Sequence, residues 1–112
     1  MLRMTVLVKR HPSLEVDEFH ERWRAHGRMI AEEPAFRPII RRYEQHHRAP
    51  ADYRNGDTFD GVAVQDFDDF AGFLAFLQTP EYGAKVQPDE ATLIDIDRIV
   101  VLFSDEPEVF IP

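Results

Sequence analysis

The sequence has no cysteine. That removes disulfides, thiolate nucleophiles, iron–sulfur clusters and zinc–thiolate centres together, and it suits a reducing cytoplasm, the location expected here. No run approaches the roughly 18 apolar residues of a membrane span. The stretch Met1–Arg10 has neither a long apolar core nor a small-residue cleavage site, so a signal peptide is not expected. Basic residues are the minority, 13 Lys and Arg against 21 Asp and Glu, for a net charge of −8. A phosphate backbone would be repelled, which disfavours nucleic acid as a partner. There is no P-loop, no Rossmann glycine pattern, no Gly-x-Ser-x-Gly elbow, no internal repeat and no low-complexity tract.

What is present is enough for one packed domain. The chain has 112 residues, 44% of them hydrophobic, and reads as a single unit over 1–112. A domain this small buries a modest share of its own surface, so it gains from covering a second face with a partner.

The apolar periods predict β-α-β-β-α-β. Thr5–Arg10 alternates as a strand, with a start as early as Met4, and His11-Pro12-Ser13 breaks it. A helix is expected over Glu15–Glu33, capped by Ser13 or Glu15. Phe19, Trp23, His26 and Ile30 form one stripe on it, and Pro34 ends it. A second strand is expected over Ile39–His47, a loop over Arg48–Phe59 and a third strand over Gly61–Phe67. Asp68 is the expected cap of a second helix, Asp69–Leu77, with Phe70, Phe73, Leu74 and Leu77 inward. Thr79-Pro80 reads as a further helix start, Asp89–Leu93 as a short turn, Ile96–Phe103 as the last strand, and the remainder as an extended arm. This is the ferredoxin-like α+β arrangement, an antiparallel four-stranded sheet with both helices on one face. Strands one and four are apolar on both faces, so the uncovered face is expected to pair with a second copy.

Several segments then resemble the EthD domain, a family of the dimeric α+β barrel superfamily. Phe19-His20-Glu21-Arg22-Trp23-Arg24-Ala25-His26 is similar to its F-x-x-x-W-x-x-H signature, and Arg42–His47 to its R-Y-x-Q-x-H segment. Asp60-Gly61-Val62-Ala63 is similar to D-G-[IV]-A and Thr79-Pro80-Glu81-Tyr82 to the S/T-P-E-Y turn, while Lys9-Arg10 closes the first strand in the same order. The family commonly follows D-G-V-A with a glutamate and an aromatic, where this chain has Val64, Gln65 and Asp66. The resemblance implies a homodimeric barrel with a pocket between sheet and helices. It also implies chemistry with no metal or organic cofactor, as in decarboxylases and dehydratases that tailor aromatic polyketides, with lactone isomerases as similar relatives, or an accessory role such as that in ether degradation.

His26 is the sharpest candidate for a general base, because a buried imidazole on an apolar stripe is held neutral and able to accept a proton. A structural histidine bonded to a backbone carbonyl is the alternative. Tyr43, Gln45 and His47 share one strand face and could polarise a carbonyl or phenol, with Tyr43 or His47 as proton donor; they could equally form the wet edge of a sheet. Trp23 and Tyr82 are expected at the pocket wall and mouth. Lys9 could hold an anion, and Asp60 is either a turn residue or a pocket carboxylate. His46 and His47 point to opposite faces, and His20 and His26 are six apart, so no local metal site is expected. The expected function is a cofactor-independent decarboxylase, dehydratase, cyclase or isomerase acting on a small aromatic or polyketide-type substrate. The alternative is a binding or accessory protein that uses the same pocket without turnover.

Overall fold

The computed structural model describes residues 1–112. Strand β1 (Leu2–Val8) leads into helix α1 (Val16–Glu32), β2 (Arg42–His47), β3 (Gly61–Phe67), helix α2 (Phe70–Gln78), helix α3 (Gln87–Leu93) and β4 (Val100–Ser104). The sheet order is β2-β3-β1-β4, and every neighbouring pair is antiparallel. This is the ferredoxin-like βαββαβ topology, with the helices covering one face.

Register decides which side chains meet. Across one row Tyr43, Gln65, Met4 and Phe103 lie side by side, and across another Gln45, Ala63, Val6 and Val101. Because side chains alternate, these rows face the helices. Val6 therefore shares its face with Val101, and Leu7 shares the other with Val100. The opposite face carries Thr5, Leu7, Val62, Val64, Val100 and Leu102, flanked by ion pairs of Arg3 with Asp66 and Arg42 with Glu44. Leu102 is 62% exposed and Val100 50%.

The core has two parts. Ile30, Phe36, Phe67, Phe76 and Val86 form one cluster, and Val8, Phe19, Trp23 and Leu93 the other. Trp23 packs so close to β3 that a Cβ on Gly61 would stand 2.5 Å from its ring and 2.6 Å from the His46 carbonyl oxygen. Only glycine fits there.

Some boundaries differ from the sequence reading. β1 starts at Leu2, which pairs with Phe67. β2 starts at Arg42, because the amides of Ile39 and Ile40 bond back to the Phe36 carbonyl in a helical turn and the two isoleucines pack on the core. Asp69 caps α2, accepting from Gly72 N at 2.8 Å. The expected cap, Asp68, instead pairs with Arg41. Thr79 Oγ1 does accept from Tyr82 N at 3.2 Å. The expected turn at Asp89–Leu93 is helix α3, entered through a π turn over Tyr82–Val86. Pro88 has no N–H to give the preceding turn and crowds its carbonyl, and the wider π turn accommodates both defects. The expected start of the last strand, Ile96–Arg98, is a 3-10 turn. The loop after β2 contains another over Pro50–Asn55, where the Arg48 guanidinium lies 4.4 Å from the centre of the Tyr53 ring. No helix is long and apolar enough to cross a membrane.

Candidate functional site

Between the two core clusters lies a cavity of about 190 Å³, bounded below by the sheet and above by α1, α2 and α3. Its wall is mostly apolar. Val6, Ala63, Phe73, Leu77, Ile99 and Val101 are among the lining groups. An apolar cavity of roughly 150 Å³ accepts a benzene-sized molecule, so this one suits a flat guest of one ring or slightly more.

Five polar side chains reach this space: His26 from α1, Tyr43 and Gln65 from neighbouring strands, Tyr82 from the π turn and Glu90 from α3. His26 is buried, and its Nδ1 lies 2.7 Å from Asp89 Oδ2. Asp89 is also within 3.4 Å of the Arg22 guanidinium, which donates to Thr92 as well. With Nδ1 committed to a carboxylate, Nε2 is the nitrogen left for a guest. Burial pushes the Tyr43 phenol up to about 12, so it is a proton carrier and donor, not a phenolate. Burial also raises Tyr82, with the Glu90 charge adding to it. Burial, and then the Asp89 charge, push the Glu90 carboxyl up to about 7. Gln65 is 6% exposed, and its Oε1 is buried with no hydrogen-bond partner. An orphaned acceptor of this kind costs roughly 1–3 kcal/mol unless a guest supplies a donor.

The structure brings together only part of the expected constellation. Trp23, His26, Tyr43 and Tyr82 line the cavity. Gln45 and His47 do not, although they share the inner face with Tyr43. Trp23 stands over them, its ring centre 4.5 Å from that of His47. The Gln45 amide donates to the Trp23 carbonyl at 2.7 Å and to the Tyr43 hydroxyl at 3.1 Å. Gln45 is therefore a buttress of Tyr43 and lies behind the cavity wall.

Lys9 and Asp60 lie outside the cavity too. Lys9 is buried, donating to Asp57 at 2.7 Å and to the Thr58 carbonyl at 2.8 Å. Asp60 is fully buried, neither turn residue nor pocket carboxylate. It takes the Arg10 amide, the Arg10 guanidinium and the Tyr53 hydroxyl. Asp66, the nearest substitute for the family's glutamate, faces away toward Arg3, and Gln65 faces in. His11 bonds to Ser13 at the surface, and no group of three His, Cys, Asp or Glu side chains is placed to hold a metal.

Sequence reasoning missed Gln65, Asp89, Glu90 and His20. Gln65 is the polar member of the inward alternation Ala63, Gln65, Phe67. Glu90 sits between Val86 and Leu93 at helical spacing, an acidic residue in an apolar stripe. His20 precedes Trp23 by three and shares its face.

Solved structures of this fold are numerous. A dimeric ferredoxin-like protein from Bacteroides fragilis is 18% identical, with 94% of this chain and 95% of that one covered at a TM-score of 0.71. SnoaB, a cofactor-independent oxygenase from Streptomyces nogalater, is 14% identical over 97% and 95%, at 0.63. A hydroxynitrile lyase from Passiflora edulis is 20% identical over 97% and 95%, at 0.58. No curated protein sequence matches the chain significantly. Residues 11–97 match the EthD domain, and the chain belongs to the EthD-domain family.

Proposed function

We propose that the chain is a cofactor-independent acid/base enzyme, acting as a lyase, dehydratase, cyclase or isomerase on a small aromatic or polyketide-type substrate. The observation that carries this reading is the pairing of His26 with Asp89 at the wall of an apolar cavity that also holds a protonated tyrosine and a carboxyl displaced to about 7. A bond to a backbone carbonyl would favour a scaffold role for His26; its bond to a carboxylate, which steadies an imidazolium, supports the catalytic reading.

In the proposed step His26 Nε2 takes a proton from carbon or oxygen of the substrate. The bond's electron pair moves onto the substrate carbonyl or ring oxygen. Tyr43 donates a hydrogen bond to that oxygen as its charge grows, and Gln65 Oε1 accepts from a substrate hydroxyl. Glu90, protonated near neutrality, can give its own proton to the product, and release of the proton held by His26 with reprotonation of Glu90 restores the starting state. The likeness to SnoaB and to the Passiflora hydroxynitrile lyase supports the reading to the extent that this fold accommodates small-molecule chemistry.

The same reading has two copies joined through the uncovered sheet face, where Leu102 and Val100 are exposed, in a cysteine-free cytoplasmic protein. The test is a substrate screen over aromatic keto acids, phenols and lactones with His26→Ala as control. Turnover lost in the variant supports the assignment. Turnover unchanged in it overturns the assignment, and tight binding of such compounds with no turnover in either protein favours the accessory role.

A further inference from the structure

Behind the cavity wall runs a string of hydrogen bonds whose protons can be counted. At one end Gln45 donates through Nε2 to the Trp23 carbonyl, which can only accept, so its amide is fixed with Oε1 toward His47 Nε2 at 2.9 Å. At the other end the Asp60 carboxylate also only accepts. Arg10 donates to both of its oxygens, and the Lys9 ammonium is 3.9 Å away. Between these ends lie His47, His20 and Tyr53. His47 Nδ1 is 2.7 Å from His20 Nδ1, His20 Nε2 is 2.8 Å from the Tyr53 hydroxyl, and that hydroxyl is 2.8 Å from Asp60 Oδ1. The string thus has four contacts, and each needs a hydrogen. Two neutral imidazoles and one phenol carry three.

We infer that the His20–His47 pair is a one-proton site, holding a fourth proton between the facing Nδ1 atoms, and that Gln45 links this proton to the hydrogen-bonding of Tyr43 in the cavity. With the pair protonated, His47 Nε2–H secures Gln45 Oε1 while the Gln45 amide donates to the Tyr43 oxygen. The hydroxyl hydrogen of Tyr43 is then free for a guest. With the proton gone, one contact is left with two facing lone pairs, and where His47 carries its hydrogen on Nδ1 that contact is the one with Gln45 Oε1. Gln45, His47 and His20 are positioning residues, since none touches the cavity.

The pair's surroundings set when the proton binds. Asp60, ahead of β3, and Asp17 on α1 favour it; Arg24 on α1 and Arg10 after β1 oppose it, as does burial, which acts most strongly. Tyr53 closes the far side. Burial holds His20 below the usual imidazole range and His47 at about 4, so uptake belongs to the acid side of that range. Two rings that share a proton titrate as a unit.

The consequence for Tyr43 rests on the proposed site; the shared proton does not. The test is a pH titration of the full chain labelled with ¹⁵N-histidine, followed by NMR. In the wild type the His20 and His47 rings are expected to move together with one strongly deshielded imidazole proton between them. Tyr53→Phe keeps a ring under Arg48 but ends the string at His20, where two neutral imidazoles suffice. Its midpoint is expected to fall by roughly one pH unit, with His46 as an exposed internal control. Independent titration of the two rings in the wild type overturns the proposal without any variant, and so does an unmoved midpoint in folded Tyr53→Phe. A substrate screen that finds no turnover leaves this titration unaffected, so the two readings fail separately.

Discussion

Tyr43 and Gln65 stand directly opposite each other on β2 and β3, and both side chains enter the same cavity, one as a protonated phenol and one as an amide with an orphaned oxygen. The pair presents a donor beside an acceptor at the spacing of a cross-strand pair, roughly 5 Å between Cβ atoms, which matches a guest carrying a carbonyl near a hydroxyl. Replacing Gln65 with Met keeps the volume and removes the orphan. Gln65→Met is expected to stabilise the empty protein by about 1 kcal/mol and to weaken binding of phenolic guests. Denaturant unfolding and calorimetric titration with 2-naphthol check both, and a variant that binds the phenol as well as wild type would refute the assigned role.

The His26–Asp89 contact predicts a graded series. His26→Ala is expected to lower kcat by roughly 10²–10⁴. Asp89→Asn retains a hydrogen-bond partner but loses the charge that steadies an imidazolium, and should cost less, mainly in kcat with KM retained. Equal kcat for Asp89→Asn and wild type would show that the carboxylate is structural.

Glu90 gives stability a defined pH dependence. Its carboxyl sits at about 7 in the fold against an ordinary 4.5, so between these values the native state binds more protons than the unfolded chain. Stability from this group is therefore complete below about 4.5 and falls as pH rises to about 7, by at most about 3 kcal/mol. Glu90→Gln removes the ionisation. It is expected to melt higher than wild type at neutral pH and to show no such decline, as thermal scans across that window will record.

Leu102 reports on assembly. It is 62% exposed on the uncovered sheet face, opposite Thr5 and on the same side of β4 as Val100. Leu102→Glu should yield a monomer in sedimentation velocity where the wild type sediments as a dimer, since an unpaired charge buried in an apolar interface is costly. Identical sedimentation of the two proteins would remove this face from the interface.

Gly61→Ala tests the close approach of Trp23. The new methyl meets the fixed His46 carbonyl at 2.6 Å as well as the indole, so β3 must shift against both β2 and α1. A loss of roughly 1–3 kcal/mol is expected in chemical denaturation, and unchanged stability would show that these elements have room to spare.

The sequence was most legible where a periodic pattern is read on one element at a time. The stripe of Phe19, Trp23, His26 and Ile30 required one buried helix face, and all four residues are buried. The third strand, Gly61–Phe67, ends where turn residues and a helix cap bracket its alternation. Boundaries failed where backbone hydrogen bonds overrode side-chain preference. The two isoleucines before β2 look like strand but close a turn on Phe36, and Asp89–Leu93, read as a short turn, continues a π turn as helix α3. In the site, the burial of His26 was legible because it lies on a strongly patterned helix face, whereas the face of Tyr43 could equally have been the wet edge of the sheet. Glu90 was not legible, because its helix was hidden behind Pro88.

Local order alone thus determined that this chain makes a four-stranded antiparallel sheet, that one helix buries an imidazole beside a tryptophan, and that no thiol chemistry is available. Which polar groups meet was decided only in three dimensions. His47 and Tyr43 alternate identically along β2, yet the Trp23 ring covers one and leaves the other at the cavity. His26 and Asp89 are 63 residues apart in the chain and 2.7 Å apart in space. Periodicity specifies the face on which a side chain lies. The packing of one element on another, which depends on every side chain between them, specifies what that face meets.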